Sequence, residues 1–432
     1  MTQTRKTRCS DGKLPGYLAR SVRRRLLQGS LGGIFLAFFS LPGLASEPSQ
    51  AAPSAHATPS AHASPSAHAS RSQDMSNLPS TSQRHYGYLA DGTEVTLVTL
   101  RNSGGIEVDV IGYGGIITRL VTPDANGRLG DIVLGLDNLE EYVASNPYFG
   151  ALIGRYGNRI GKGRFTLDGE TFQLDVNDGE NHLHGGAEGF DKRVWQMRPF
   201  VTEHSAGVHL QLTSPDGDQG YPGELQAQVT YELTGEDELD MTFKAVTDKP
   251  TIVNMTQHSY FNLAGQGTGD ILGHTLQIEA DFFTFATPDN LPTGEIRSVI
   301  GTPFDFTESK PIGRDIESDD PQMRQNRGYN QNFVLRGSTI PGRVAPAATL
   351  YDPGSGRVLT VSTTEPGLFL YTANFIDTNR TMKGGVTYPL RAGVALETGH
   401  HPDSPNQGHF PSTTLIPGET FRSRTVFAFS TR

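Results

Sequence analysis

Hydrophobic and polar residues alternate along much of this chain with a period of two. Leu225, Ala227, Val229, Tyr231 and Leu233 are separated by polar residues, and after a Thr-Gly-Glu-Asp-Glu turn Leu239, Met241, Phe243 and Ala245 alternate again. That pattern predicts an antiparallel hairpin with one face on a core and the other in solvent. Val208-Leu210-Leu212 and Leu276-Ile278-Ala280 repeat the signal. Long helical periodicity is missing, apart from a short turn around Leu139-Glu-Glu-Tyr142. The chain's 50 glycines and 27 prolines punctuate it as many short strands and irregular loops require. No linker-like break divides residues 84–432. The reading is all-β: one large antiparallel β-sandwich domain over that span.

The N-terminus follows a different pattern. Seven basic residues among the first 24 precede Arg25, and Leu26 to Ser46 carries no charge. Its apolar centre runs from Leu31 to Leu41 and ends at Gly43-Leu-Ala45, small residues where a signal peptidase reads. Residues 1–45 are therefore expected to be a secretory signal, with an uncleaved anchor as the alternative. Arg23-Arg24-Arg25 also fits a twin-arginine pattern, which implies export to the periplasm, or beyond it, in a folded state. Residues 46–83 read as a Pro/Ala/Ser/His linker, with Pro-Ser-Ala-His-Ala repeated from Pro53, Pro59 and Pro65. Regular histidines suggest metal binding, but a tether that cannot bury a core is the simpler account.

Removing residues 1–45 takes away 8 of 36 basic and 1 of 46 acidic residues, leaving 28 against 45, formally −17. The single cysteine, Cys9, leaves with them, so the mature chain meets an oxidising compartment without a thiol. Its charge opposes nucleic acid and anionic membrane, and weakly favours neutral over phosphorylated substrates. No P-loop, dinucleotide fingerprint or nucleophile elbow is present.

Three polar, aromatic runs supply chemistry: Asn181-His-Leu-His-Gly-Gly186, Asn254-Met-Thr-Gln-His-Ser-Tyr-Phe-Asn-Leu263, and Leu396-Glu-Thr398 with His401-Pro-Asp-Ser-Pro-Asn406. His182 and His184 are expected to face the same way if they share a strand. With Glu188 they spell a metal-like string; otherwise one lines a pocket while the other is structural. His258 is either a satisfied core histidine or a proton carrier, since imidazole titrates near ~6.5. Glu397 ends an apolar approach, Gly393-Val-Ala-Leu396, so it is either paired in a salt bridge or a general base with a raised pKa. Arg155 and Arg159 are equivalent candidates for holding hydroxyls. One base, one acid and a hydroxyl cradle suffice to interconvert sugar anomers, with no cofactor and no metal.

Seven segments in order resemble the aldose 1-epimerases, or mutarotases: Gly154 to Gly163, Asn181 to Gly186, Gly220-Tyr-Pro-Gly223, Asn254 to Leu263, Gly328-Tyr-Asn-Gln-Asn-Phe333, Tyr371-Thr-Ala-Asn-Phe375, and Leu396-Glu-Thr398 with Pro402 to Asn406. The resemblance implies a galactose mutarotase-like supersandwich and a monosaccharide cleft. It assigns Glu397 as the base on the C1 hydroxyl, His258 as the acid on the ring oxygen and His184 as its helper. It assigns Asn158, Arg159 (rather than Arg155), Asn330 and Phe369 to the substrate. It also implies a monomer, with a dimer as the alternative, and a free aldohexose such as glucose or galactose.

Three segments depart from the pattern. Asn330-Gln331 stands where the family usually has Asp-His, Phe369 where a glutamine is frequent, and Gly399 where a glutamine follows Leu-Glu-Thr. The acid–base residues survive, so altered specificity is expected rather than lost activity. The rival readings are a non-catalytic carbohydrate-binding sandwich, a hexose 6-phosphate enzyme and a polysaccharide lyase.

Overall fold

The computed structural model describes residues 78–340 and 342–432. The expected signal segment and nearly all of the expected linker lie outside the described residues. The described residues fall in one compact unit. Its first strand, Ser80–Tyr88, pairs antiparallel with Glu94–Arg101. The expected boundary at residue 83/84 thus falls inside a strand. Ser80 to Gln83 are polar and resemble the linker before them, because an edge strand buries little and carries no apolar run.

The chain folds mainly as antiparallel β-structure. A five-stranded sheet runs in sequence order from Ser80–Tyr88 to Leu129–Asp131. A nine-stranded sheet holds the predicted hairpin, Leu225–Thr234 with Glu238–Thr247, in the register Leu233↔Leu239 to Leu225↔Thr247. There the odd positions from Leu225 to Leu233 are buried, while Gln226 and Gln228 face solvent. A six-stranded sheet runs Tyr260–Phe261, Val394–Gly399, Gly367–Tyr371, Asn330–Leu335, Ala280–Ala286, Pro292–Ser298. One apolar cluster joins all three sheets, with Val108 and Leu120 from the first, Val229, Phe243 and Phe427 from the second, and Phe333, Leu368 and Leu396 from the third. Truncating such a ring, as in Phe243→Ala, costs about 3–5 kcal/mol. This is the expected sandwich.

One expected strand is two. Leu276 and Ile278 lie on Thr275–Ile278 in the nine-stranded sheet, and Ala280 begins Ala280–Ala286 in the six-stranded sheet. The alternation runs on through Glu279 because both strands border the same core, and it carries no mark of the change of sheet. The short turn at Leu139 is a helix, Leu139–Ala144, whose Asn138 side chain accepts from the Glu141 N–H. No helix among the described residues is long and apolar enough to cross a membrane.

Candidate active site

The six-stranded sheet builds one wall of the site by register. Glu397 pairs with Phe369, and Phe369 with Asn332 on the next strand; two residues along, Tyr371 pairs with Ala395 and Asn330. Side chains two apart share a face, so Glu397, Phe369, Tyr371 and Asn330 point to the same side. Every residue of Val394–Gly399 is buried, which is the inward strand read from Gly393-Val-Ala-Leu396.

His258 arrives from a second direction. It ends the strand Thr256–His258, paired to Ala151–Ile153, and Tyr260 then enters the six-stranded sheet. The crossing at Ser259 is braced by Gln257, which donates to the Gly150 carbonyl and accepts from the Ser259 N–H. The His258 ring lies nearly parallel to those of Tyr260 and Tyr148, at 4.9 and 5.8 Å between centroids.

The two histidines of the first run do not face the same way. Their strand is only His182–Leu183, and His184 takes a left-handed conformation with φ 51°. His182 turns inward, its Nδ1 2.6 Å from the Asp175 carbonyl and its Nε2 2.6 Å from the Tyr221 hydroxyl. Both ring nitrogens are engaged, so the His182-x-His184-x-x-x-Glu188 metal string is not assembled; Glu188 is exposed. His184 instead packs against Tyr148 and His258, at 4.6 and 5.3 Å between centroids.

The two arginines separate as sharply. Arg155 is 2% exposed and donates to Ser214 Oγ and to the carbonyls of Ser214, Pro215 and Pro222. It cross-braces loops. Arg159 is held by Asp178 at 2.7 Å and reaches the cavity. The Pro402–Asn406 loop supports it from behind, because Asp403 N–H donates to the Arg159 carbonyl and Asp403 Oδ1 accepts from Gly161 N–H. His401 is spent on structure, 3.0 Å from the Asn332 amide.

Glu397, His258, His184, Asn158, Arg159, Asn330 and Phe369 all line one cavity of about 240 Å³. Tyr148, Tyr371 and Asn290 line it too and were not selected from the sequence. Tyr148 sits in an ordinary-looking Asn-Pro-Tyr-Phe-Gly loop and Asn290 in a Pro-Asp-Asn turn. Only Tyr371 carried a signal, as the first residue of a matched segment.

Burial governs the electrostatics. It pushes the Glu397 carboxyl up to about 8, against the nearby Arg159 charge that pulls it down. Burial alone pushes His258 down to about 4. Between those values the pair holds one proton. Its atoms are adjacent: His258 Nε2 is 3.4 Å from Glu397 Oε1. His184 is also pushed down, first by burial and then by the charges of His258 and Arg159.

His184, His258 and Glu397 place potential ligand atoms within 4.8 Å of one another. The donor set nevertheless does not suit a metal. His184 Nδ1 accepts the Asn158 N–H at 3.1 Å, so the ring proton sits on Nε2. Ligation through Nε2 would move that proton onto Nδ1, against an N–H. What the arrangement offers is an N–H donor beside an adjacent carboxyl and imidazole.

The model of the family described as aldose 1-epimerase matches residues 96–428. The chain belongs to the aldose 1-epimerase family. It is 46% identical to the galactose mutarotase of Bos taurus over 328 residues, covering 76% of this chain and 92% of that one. It is 39% identical to the aldose 1-epimerase of Escherichia coli K12 over 341 residues, covering 78% and 96%. The crystal structure of a galactose 1-epimerase from Lactobacillus acidophilus superposes with a TM-score of 0.72 at 32% identity, covering 82% and 99%.

Within this aldose 1-epimerase family framework, the three departures differ in kind. Asn330 and Phe369 face the cavity, whereas Gln331 turns into the sheet and donates to the Thr284 carbonyl. At Gly399 a Cβ would meet Asn254 Oδ1 at 3.0 Å, an oxygen that already accepts the His400 N–H. Glycine there lets Asn254 brace the end of the Glu397 strand.

Proposed function

We propose that this protein interconverts the α and β anomers of free aldohexoses such as glucose or galactose by acid–base ring opening and closure. The observation that carries the reading is the buried His258–Glu397 pair, 3.4 Å apart, with the carboxyl pushed up and the imidazole pushed down by burial. The cavity is smaller than the roughly 300–1,000 Å³ typical of drug-sized ligands, as a single sugar ring requires.

The steps follow from that pair. A proton handed from Glu397 to His258 leaves carboxylate and imidazolium, and the Arg159 charge favours that arrangement. Glu397 takes the proton of the C1 hydroxyl while His258 gives its proton to the ring oxygen. The C1–O5 bond breaks and C1 becomes an aldehyde. Rotation about C1–C2 presents the other face, and the reverse transfers close the ring. His184 Nε2–H steadies the ring oxygen, while Asn158, Arg159 and Asn330 hold hydroxyls and Phe369 offers its ring to the sugar face. A binding-only sandwich has no use for a carboxyl held against its own ionisation beside an imidazole.

We also infer that the mature enzyme begins after Ala45 and works outside the cytoplasm, in the periplasm or beyond. The uncharged segment closed by Gly43-Leu-Ala45 and the absence of cysteine from residues 46–432 support this. Terminal sequencing of the chain recovered from cell fractions tests it: an intact Met1 in membranes would overturn it.

The activity is tested by polarimetry on freshly dissolved α-D-glucose and α-D-galactose with residues 46–432 and Glu397→Gln. Fast relaxation with the parent alone supports the reading. Spontaneous rates with both, across a wider aldose panel, would sink it.

A further inference from the structure

Asn290 and Asn330 line the same cavity from different elements, and one short helix orients both. Asn290 sits at φ 58° in the tight turn Thr287–Leu291, which joins Ala280–Ala286 to the edge strand Pro292–Ser298. The helix Pro321–Asn326 docks on that hairpin through Gln322, whose amide both donates to and accepts from the Ala286 backbone, at 2.8 and 3.0 Å.

Two neighbouring residues of this helix then set the polarity of the cavity amides. Gln325 Nε2 donates to the Thr287 carbonyl and to Asn290 Oδ1, both at 2.9 Å. A backbone carbonyl only accepts, so the Gln325 atom at this junction is its nitrogen, and Asn290 must present its oxygen there. Asn326 Nδ2 is likewise pinned by the Gln322 carbonyl at 3.1 Å. Its Oδ1 therefore faces Asn330 and takes the Asn330 Nδ2–H at 3.0 Å. What remains for a ligand is the Asn290 Nδ2 donor and the Asn330 Oδ1 acceptor.

Resting on the anomer-interconverting reading above, we propose that Asn290 is a specificity-determining residue. Its Nδ2 donates to one ring hydroxyl of the aldose away from C1, and Asn330 Oδ1 accepts from a neighbouring hydroxyl. Where a carboxylate accepts from two hydroxyls, this neutral clamp asks one hydroxyl to accept and one to donate. Which hydroxyls point toward the clamp then decides which aldose binds best.

The test uses purified protein, Asn290→Ala and Asn290→Asp, with the 2-, 3-, 4- and 6-deoxy analogues of the best aldose. Mutarotation is followed by polarimetry and binding by calorimetry. Asn290→Asp keeps an oxygen for Gln325 but replaces the donor with an acceptor that is charged when ionised, so binding is read below and above the carboxylate pKa beside Asn290→Ala, and a purely structural asparagine would tolerate the protonated form. The expected result is a roughly tenfold rise in KM and Kd for both variants on the parent sugar, with kcat little changed. With one deoxy analogue the penalty should vanish, because the partner hydroxyl is already gone. Equal penalties on every analogue, or an Asn290→Asp variant that binds like the parent, would overturn the proposal. Calorimetry reads the clamp even if no sugar is turned over, so loss of the activity reading and loss of the clamp are told apart.

Discussion

His258 Nε2 and Glu397 Oε1 stand 3.4 Å apart, both side chains buried, on strands that belong to different sheets. Low dielectric pushes the carboxyl up and the imidazole down, so the pair keeps one proton across the neutral range. Glu397→Gln and His258→Asn each remove one end of the relay. Each should lower kcat by roughly 10²–10⁴-fold, the usual worth of a positioned acid or base. Polarimetric rates with matched circular dichroism spectra check this, and a variant within tenfold of the parent would rule its residue out.

The same shifts set the pH dependence. Above about 8 Glu397 is ionised and His258 is neutral, so the acid is missing; below about 4 both carry protons and the base is missing. A plot of kcat/KM should be a bell with limbs near those values. Stability follows the linkage signs. The raised carboxyl binds its proton more tightly in the folded chain, so its contribution is present below the unfolded value and is lost as pH rises through the folded one. Glu397→Gln should therefore gain most in Tm above pH 8 and little near pH 4. A gain independent of pH would contradict the assigned shift.

Arg155 and Arg159 should fail differently. Arg155→Met strands carbonyls of Ser214, Pro215 and Pro222 that its guanidinium satisfies, at a cost of about 3–5 kcal/mol. Arg159→Met frees the partly exposed Asp178 and removes the charge that pulls Glu397 down; it should alter stability by less than about 1 kcal/mol while raising KM. Urea denaturation beside steady-state kinetics separates the two.

Asn330→Asp, which restores the carboxylate common in the family, should not be benign. Once ionised, the introduced carboxylate sets two acceptors face to face at Asn326 Oδ1, and flipping Asn326 would forfeit its bond to the Gln322 carbonyl. A loss of about 1–2 kcal/mol is expected above the carboxylate pKa and less below it. Thermal melts across pH measure it; equal Tm at all pH values would refute the amide network.

The tautomer of His184 predicts indifference to metals. With Nε2 carrying the proton, dialysis against a chelator should leave kcat/KM unchanged, and zinc should inhibit only weakly. Activity that vanishes on chelation and returns with a metal would reverse that assignment.

Much of this was legible without coordinates. Alternation of apolar residues from Leu225 to Ala245 reports a half-buried strand directly, because side-chain direction in a strand depends only on local backbone geometry. The approach Gly393 to Leu396 marked Glu397 as an inward carboxylate for the same reason. Resemblance in ordered segments placed Asn158, Arg159, His184, His258 and Asn330 among the site residues. Locality also explains the failures. Nothing in His182-Leu-His184 announces a strand ending after Leu183 and a left-handed His184, since the turn is set by what each ring finds: Tyr221 for one, Tyr148 and His258 for the other. Nothing in Leu276 to Ala280 shows that the chain changes sheets.

The sequence by itself determined the sandwich, the polarity of its faces and the chemical inventory of the site. These depend on residue type and near neighbours along the chain. Only the tertiary structure decided that Arg155 is a brace and Arg159 a cavity residue, and that Asn290 and Asn330 present opposite polarities. It alone brings His258 and Glu397 within 3.4 Å of each other. Those outcomes rest on burial and on partners distant in the chain, and such contacts exist only once the sheets have packed.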